Sequence, residues 1–262
     1  MEDCSIYYLD KESIKNIAFG HTTRMNQMYS KDILNSYNNS TIYGPDSVFY
    51  YEYDSKYTSI IVEDIDTVSG IFKHKFGKTA VLNFASYKNP GGRFLDGSTA
   101  QEEYLCHHSF LYNVLEKFGD YYQYNNMNKN RALYHNRAIY TPNIMFTTPN
   151  MPICFYCDVI TCAAPNKSVA CRYKMATPHE NTIALSSRIR FILNIAAEQK
   201  VDTLILGAFG CGVFGQDPIE TAEIFKQYLS SEFKNVFGKV IFAIPRSNKS
   251  VNYNAFYKVF NS

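Results

Sequence analysis

The sequence contains no tryptophan, no block of like charges and no apolar stretch long enough to cross a membrane. Lys and Arg number 26 against 24 Asp and Glu, so the formal net charge is only +2. A general nucleic-acid binder is usually strongly basic, and this balance argues against that class. No apolar N-terminal run resembles a signal peptide. We therefore expect no membrane partner and a cytoplasmic location, or a nucleocytoplasmic one if the source is eukaryotic or viral.

The cysteine pattern fits neither a disulfide framework nor a metal site. The seven cysteines, an odd number, are Cys4, Cys106, Cys154, Cys157, Cys162, Cys171 and Cys211. Scattered single cysteines are typical of free thiols in a reducing compartment. Cys154 and Cys157 have C-x-x-C spacing, but they lie in an apolar run predicted as a strand, where residues i and i+3 point to opposite faces. No second pair has ligand spacing, so we predict no metal and no other cofactor.

The chain is long and apolar enough for one large domain with a buried core, since 46% of its 262 residues are hydrophobic. Strands are predicted for YTSIIVED, KTAVLNFA, CFYCDVITCAA, VDTLILGAF and KVIFAIP, and helices for TIALSSRIRFILNIAAEQK and PIETAEIFKQYLSSEF. Near-continuous apolar strands that alternate with helices indicate an α/β fold with a buried, largely parallel sheet.

The first fifty residues are more polar than the remainder of the chain. Two short helices are predicted there, over SIKNIAFGHTTRMNQMY and SKDILNSYNN. We predict that residues 1–50 form a helical extension packed on a domain of residues 51–262, the alternative being a separate lead-in segment.

A glycine-rich loop, Gly210-Cys-Gly-Val-Phe-Gly215, follows the fourth predicted strand and precedes a helix. Glycines let the backbone turn sharply and bring several N–H groups to an anion, and the helix adds its positive N-terminal end. The spacing also fits a Rossmann fingerprint, but that loop normally follows the first strand and an acidic residue ends the next one. Here the next strand ends in Pro-Arg. Pyrophosphate binding is therefore favoured over a dinucleotide site, and a purely structural turn is the alternative.

The triplet Gln101-Glu102-Glu103 stands where a helix is predicted to begin, just after Asn-Pro-Gly-Gly. Ser98 with Gln101, or Thr99 with Glu102, has the spacing of a capping box. Adjacent helical residues point about 100° apart, so the two glutamates cannot face each other across a sugar as in an ordinary glycosidase. The pattern favours one acid/base carboxyl with a positioning neighbour. Acidic residues that only stabilise the helix N-terminus are the alternative.

Two motifs together resemble a known family. NPGG followed, from Phe94, by seven residues and then QEE is similar to the signature of bacterial-type poly(ADP-ribose) glycohydrolases, and GAFGCGVFG resembles the phosphate loop of the macrodomain fold that they share. VITCAAPN, after IYTPN, also resembles the bacterial branch. The resemblance runs from about Thr22 to about Pro245. It implies a macrodomain-like three-layer α/β/α sandwich with a mixed, largely parallel sheet, which we expect to be a monomer.

The resemblance also implies a reaction and its residues. The reaction is metal-independent hydrolysis of ribose–ribose O-glycosidic bonds, which releases ADP-ribose from poly(ADP-ribose) on modified macromolecules. Glu103 would be the acid/base, Glu102 would hold ribose hydroxyls, and Phe214 would pack on the terminal ribose. Either Asp64 or Asp66 would bind adenine. The remaining predicted substrate-binding residues are Asn83, Ser86, Asn89, Gly91, Gly92 and Gln101 near the ribose, and Gly207, Ala208, Phe209, Gly210, Cys211, Gly212 and Val213 around the pyrophosphate.

One position departs from the family pattern, because Arg93 stands where a third glycine is usual. Its side chain would narrow the distal-ribose pocket or pair with a phosphate. Two other functions therefore remain open: an ADP-ribose-binding macrodomain that does not hydrolyse its ligand, and hydrolysis of another ADP-ribosyl linkage on protein or nucleic acid. His107 and His108 are predicted to serve the core of the fold.

Overall fold

A computed structural model describes residues 9–52, 57–148, 151–246 and 251–261. Cys4 lies outside these residues. One sheet of seven strands runs through the described molecule, in the spatial order β1-β4-β5-β3-β6-β7-β2. The strands are β1 (Thr41–Tyr43), β2 (Ser59–Glu63), β3 (Thr79–Phe84), β4 (Ala138–Thr148), β5 (Met151–Cys162), β6 (Thr203–Leu206) and β7 (Lys239–Ala243).

Helices surround this sheet. They are α1 (Lys11–Asn38), α2 (Thr67–His74), α3 (Gln101–His107), α4 (Leu111–Leu115), α5 (Gly119–Met127), α6 (Lys167–Arg172), α7 (Pro178–Glu198), α8 (Pro218–Ser230) and α9 (Asn252–Asn261), with short 3₁₀ turns at Phe94–Asp96 and Asn130–Ala132. Among the described residues no helix is long and apolar enough to cross a membrane.

The sheet is mixed but largely parallel, as predicted. Strands β5, β3, β6, β7 and β2 pair in parallel, whereas β4 pairs antiparallel with both β5 and β1. Alternate residues of β3 enter two different apolar clusters, because successive side chains of a strand point to opposite faces. Leu82 belongs to the same cluster as Ile189 of α7 and Phe225 of α8, while Val81 belongs to the cluster that contains Leu105 of α3 and Leu111 of α4. Helices thus cover both faces, which confirms the three-layer architecture.

The N-terminal segment forms one helix instead of the two that were predicted. Helix α1 continues through Tyr29, whose φ and ψ of −126° and 25° make a kink at the boundary between the two predicted helices. Its buried face carries Ala18, Met25 and Ile33 into the cluster that contains α3 and α4. Strand β1 from the same segment joins the sheet. The domain division at residue 50 stays a prediction.

The C-x-x-C pair lies in β5, and its two side chains point to opposite faces as predicted. Cys154 is exposed and Cys157 is buried, where its thiol donates to the carbonyl of Thr79 at 3.4 Å. Within the described residues no group of three or more His, Cys, Asp or Glu side chains is arranged to hold a metal ion.

Candidate active site

Helix α3 begins without the predicted capping box. Its N-cap is Ala100, and no side chain caps it. Ser98 belongs instead to the turn that closes the preceding loop, where its N–H donates to the carbonyl of Arg93 at 3.1 Å. The capping-box prediction is therefore wrong, because the helix begins at Gln101 after Ala100, so neither Ser98 nor Thr99 is its N-cap.

Gln101 joins the start of α3 to the end of β3. Its Oε1 accepts from the N–H of Phe84 at 2.8 Å, and its Nε2 donates to the carbonyl of Leu82 at 2.9 Å. Strand β6 pairs with β3 only as far as Val81, so the side-chain amide satisfies backbone groups for which a neighbouring strand would otherwise be needed. The amide of this predicted substrate-binding residue is thus occupied within the protein.

Glu102 is buried, and both of its oxygens have donors. Asn83 Nδ2 donates to Oε1 at 3.2 Å and the N–H of Ser86 donates to Oε2 at 2.6 Å, with only 3% of the residue exposed. Burial raises the pKa of Glu102 to about 8, and the neighbouring charge of Glu103 adds to the rise, while the bond from Ser86 opposes it. Glu102 therefore carries a proton over much of the neutral range.

Glu103 is bound at only one of its two oxygens. Oε1 accepts from the N–H of Arg93 at 2.8 Å. Oε2 is buried and has no hydrogen-bond partner in the described part of the chain. A buried oxygen without a donor is costly unless a ligand uses it, so this atom is the member of the pair that is available to a ligand.

The two glycines of NPGG place the backbone against these carboxylates. Gly91 and Gly92 both have φ of +62°, which side chains rarely adopt. A Cβ at Gly92 would lie 2.5 Å from Oε1 of Glu103 and 2.8 Å from Oε2 of Glu102. Arg93 has an ordinary φ of −116°, so the third position needs no glycine for its backbone. Its exposed guanidinium pairs with Asp96 at 3.2 Å.

The second glycine loop follows β6 and lies beside the end of β3. A Cβ at Gly207 would lie 2.9 Å from the Phe84 ring, so packing explains this glycine. No atom lies within 4 Å of the position a Cβ would take at Gly212, and this glycine therefore leaves open space at the surface of the loop. At the N-terminus of α8, the Asp217 side chain accepts from the N–H groups of Ile219 and Glu220, so these two donors are occupied within the protein.

Two adjoining cavities follow the glycine loop and form a cleft. Their volumes are about 170 and 250 Å³. Both are lined by Phe84, Gln101, Ala208 and Gly212; the first also by Ala164, Phe209, Gly210, Val213 and Phe214, and the second also by Asp66, Thr67, Tyr104, Ile244 and Asn252. The loop residues predicted to bind pyrophosphate thus meet the base of α3.

Of the two candidate adenine ligands, Asp66 lies in the wall of the second cavity. Its carboxylate also caps α2 by accepting from the N–H of Ser69 at 2.8 Å. Asp64 accepts from the N–H of Arg246 at 2.5 Å and does not line either cavity.

The other predicted residues occupy varied positions. Asn83 is fully buried and contacts Glu102, while Asn89 is exposed and its N–H donates to Ser86 Oγ at 3.2 Å. The thiol of Cys211 donates to Thr221 Oγ1, and burial raises its pKa to about 11. It is therefore a protonated, unreactive thiol at neutral pH.

The sequence did not indicate an aromatic wall beside the cleft. Tyr87, in the loop before NPGG, stacks on Tyr134 with ring centroids 4.1 Å apart, and Tyr134 contacts Phe214 at 6.2 Å. These residues are distant in sequence and follow no periodicity. His107 and His108 pack as core residues, with centroid distances of 4.6 Å to Phe94 and 4.4 Å to Tyr104 respectively.

A largely parallel sheet with a glycine loop and a carboxylate-bearing helix at the carboxyl ends of its strands is the arrangement in which α/β proteins bind ligands. The model of one family, the microbial-type PARG catalytic domain, matches residues 11–148, more than half of the chain. The chain belongs to this family, in which PARG denotes poly(ADP-ribose) glycohydrolase, and the resemblance is confirmed.

Solved structures agree with the family assignment. The glycohydrolase from Thermomonospora curvata is 26% identical, with a TM-score of 0.85 over 95% of this chain and 100% of that one. The same enzyme bound to the inhibitor ADP-HPD gives a TM-score of 0.82 over 95% and 99% of the two chains, at the same identity. The Deinococcus radiodurans enzyme in complex with ADP-ribose is 28% identical, with a TM-score of 0.79 over 87% and 97%. A comparison with curated protein sequences gives no match.

Replacement of Gly92 by Ala tests the close approach of the loop. The new Cβ would meet both carboxylates at a positive φ, so we expect the free energy of unfolding to fall by about 1–3 kcal/mol. Gly212→Ala is the matched control, since its Cβ enters open space, and it should be neutral or up to about 1 kcal/mol more stable. Denaturant unfolding measures both, and equal losses in the two variants would contradict the account.

Replacement of Glu102 by Gln tests its buried proton. A folded-state pKa of about 8, above the ordinary value of 4.5, gives stability that is full below pH 4.5 and is lost as pH rises through 8. Wild-type protein should thus lose on the order of a few kcal/mol between pH 5 and pH 9 through this group. Glu102→Gln should remove that loss when the free energy of unfolding is measured against pH. The same pH dependence in both proteins would refute the raised pKa.

Proposed function

We propose that this protein hydrolyses ribose–ribose bonds of poly(ADP-ribose) and that Glu103 is its acid/base. The observation that carries the proposal is the second oxygen of Glu103, which is buried and has no partner among the described residues. The fixed carboxyl of Glu102 beside it supports a division between one reacting and one positioning group. Family membership supports the reaction class.

In this proposal one carboxyl performs both proton transfers. Glu103 first donates its proton to the ribose oxygen of the departing unit as the glycosidic bond breaks and an oxocarbenium-like centre develops. Its carboxylate then takes a proton from water while the water oxygen bonds to the anomeric carbon. The products are ADP-ribose and a polymer with a free hydroxyl, and the proton returns to Glu103. The Arg93 amide holds the carboxyl in place throughout.

Glu102 serves this chemistry by orientation. Both of its oxygens are fixed by donors from Asn83 and Ser86, and each oxygen retains a lone pair for a ribose hydroxyl. The Asn83 amide can also turn, because its Oδ1 has no partner in the described residues. Asn83 can therefore bond Glu102 in either protonation state.

The cleft supplies the binding site in this proposal. The open surface at Gly212 would receive the pyrophosphate, and Phe214 would pack on the terminal ribose. Asp66 is our choice for the adenine contact, because it lines the cavity at the other side of Gln101. ADP-ribose is the ligand of the Deinococcus relative, which supports the assignment. We further propose that the protein acts as a monomer in the cytoplasm, a location that the free cysteines support.

One observation favours a second function, the binding of ADP-ribose without hydrolysis. Glu102 and Glu103 are only 3% and 5% exposed, and neither lines the two cavities. A ligand would fill the cleft without reaching Oε2 of Glu103 unless the NPGG loop shifts. Calorimetry with ADP-ribose alongside a hydrolysis assay separates the two functions: binding without turnover by the wild type would establish the second.

Glu103→Gln tests the acid/base assignment on labelled poly(ADP-ribose). Glutamine keeps the acceptor for the Arg93 amide but cannot exchange a proton, so we expect turnover to fall on the order of 10²–10⁴-fold, with ADP-ribose binding kept within a few-fold. Glu116→Gln, a carboxyl at the end of α4, is the control and should keep full activity. Equal turnover by wild type and Glu103→Gln would remove Glu103 from the mechanism.

A further inference from the structure

An open groove of about 370 Å³ is lined in part by Tyr134. Residues around the 3₁₀ turn Asn130–Ala132 form one wall, and the N-terminal half of α7 forms the other. Its volume falls in the range of roughly 300–1,000 Å³ that is typical of small-ligand sites. The glycine-loop cleft and the paired carboxylates do not account for this groove.

Tyr134 connects the groove with the cleft. Its ring lines the groove and stacks almost parallel on Tyr87, with an interplanar angle of 10°, while it also contacts Phe214 of the glycine loop. The N–H of His135 donates to the hydroxyl of Tyr87 at 3.4 Å. Tyr134 therefore lines the groove and at the same time contacts Phe214, which lines the cleft.

The walls of the groove carry an unbalanced positive charge. Arg131 is half exposed and pairs with Glu180 at 2.8 Å. Arg188, only 1% exposed, donates from Nε to Asn136 Oδ1 at 2.8 Å and from its other nitrogens to the carbonyls of Ala163 and Leu133. No described carboxylate pairs with Arg188. Two guanidinium groups and one carboxylate leave a net charge of +1, and an anion in the groove would balance it.

The backbone that lines the groove is held in an uncommon conformation. Asn130, Arg131 and Tyr134 have φ of 41°, 55° and 61°, where residues other than glycine are rarely found. The bonds from Arg188 to Leu133 and Asn136 hold this segment in place. Such conformations persist where the surroundings fix them, commonly beside ligand sites.

We propose that this groove binds the pyrophosphate of the neighbouring ADP-ribosyl unit of a poly(ADP-ribose) chain. This inference rests on the proposed function. The ADP-ribosyl unit assigned to the groove is the one from which hydrolysis releases the terminal ADP-ribose. Arg131 and His135 supply donors for the phosphate oxygens, and the Tyr134 ring offers a surface for the linking ribose. The groove thus contributes to recognition of polymer over a single ADP-ribosyl unit.

Variants of Arg131 and His135 test the proposal, with polymer and ADP-ribose measured side by side. For Arg131→Gln and for His135→Gln we expect the KM for poly(ADP-ribose) to rise about tenfold, as loss of one charge-assisted hydrogen bond implies. The Kd of ADP-ribose from calorimetry should change less than twofold, since a single unit occupies only the cleft. The increase of polymer KM with salt should also be shallower in Arg131→Gln.

Arg190→Gln is the matched control. Arg190 pairs with Glu232 at 2.7 Å, and its side-chain exposure of 54% equals that of Arg131 within a percentage point, but it lines no described cavity. It should leave both the polymer KM and the ADP-ribose Kd unchanged. If a fall in stability alone raised the polymer KM, Arg131→Gln and Arg190→Gln would raise it equally.

Three results would overturn the proposal. The first is an unchanged polymer KM in both groove variants, and the second is an equal change in polymer KM and ADP-ribose Kd. The third is inhibition of wild-type hydrolysis by poly-glutamate that disappears in the variants, because it would assign the groove to an acidic protein segment. Failure of the wild type to cleave polymer at all is a different result, since it contradicts the hydrolase function itself.

Discussion

The candidate active site depends on how closely the backbone of the NPGG loop approaches the two carboxylates at the start of α3. The amide of Ser86 donates to Glu102 and that of Arg93 donates to Glu103, so two parts of one loop hold adjacent side chains. Buried carboxylates are costly unless donors replace water. These donors reach them only because residue 92 has no side chain. Loop and helix therefore form one unit, and neither has its observed position without the other.

The surrounding fold fixes both ends of this unit. Phe94, directly after the loop, is 1% exposed and packs against His107 of α3, with His21 of α1 at 6.4 Å. Gln101 ties the start of α3 to the last residues of β3. Helix α1 is thus part of the support of the site, although it lies far from the glycine loop in sequence. A long N-terminal helix with low amphipathic character is placed here by packing, as is usual for helices in proteins.

Sequence patterns predicted the elements whose signals are local. The apolar runs predicted five strands, and NPGG, QEE and GAFGCGVFG predicted the segments that meet at the candidate site. Strand β4 had no such signal, because Pro142 interrupts it and the register shifts between Thr141 and Ile144. The capping-box prediction failed because a four-residue pattern does not fix where the helix begins, and α3 begins only at Gln101, with Ala100 as its N-cap. The positions of Tyr134 and Arg188 are set by contacts with residues distant in sequence, so no local pattern predicts them.

The adjacency of the two glutamates makes sense once burial is considered. Two ionised carboxylates this close would repel each other and oppose the burial of both. Burial raises the pKa of Glu102 to about 8, so a proton there removes one charge while the donors from Asn83 and Ser86 keep the group oriented. The Arg93 amide meanwhile holds Glu103 at one oxygen, which leaves its second oxygen for the proton transfers proposed above. Two adjacent acids can therefore have different roles because their hydrogen-bond partners differ. In a conventional glycosidase the two carboxyl groups face each other across the glycosidic bond, and their separation sets their roles.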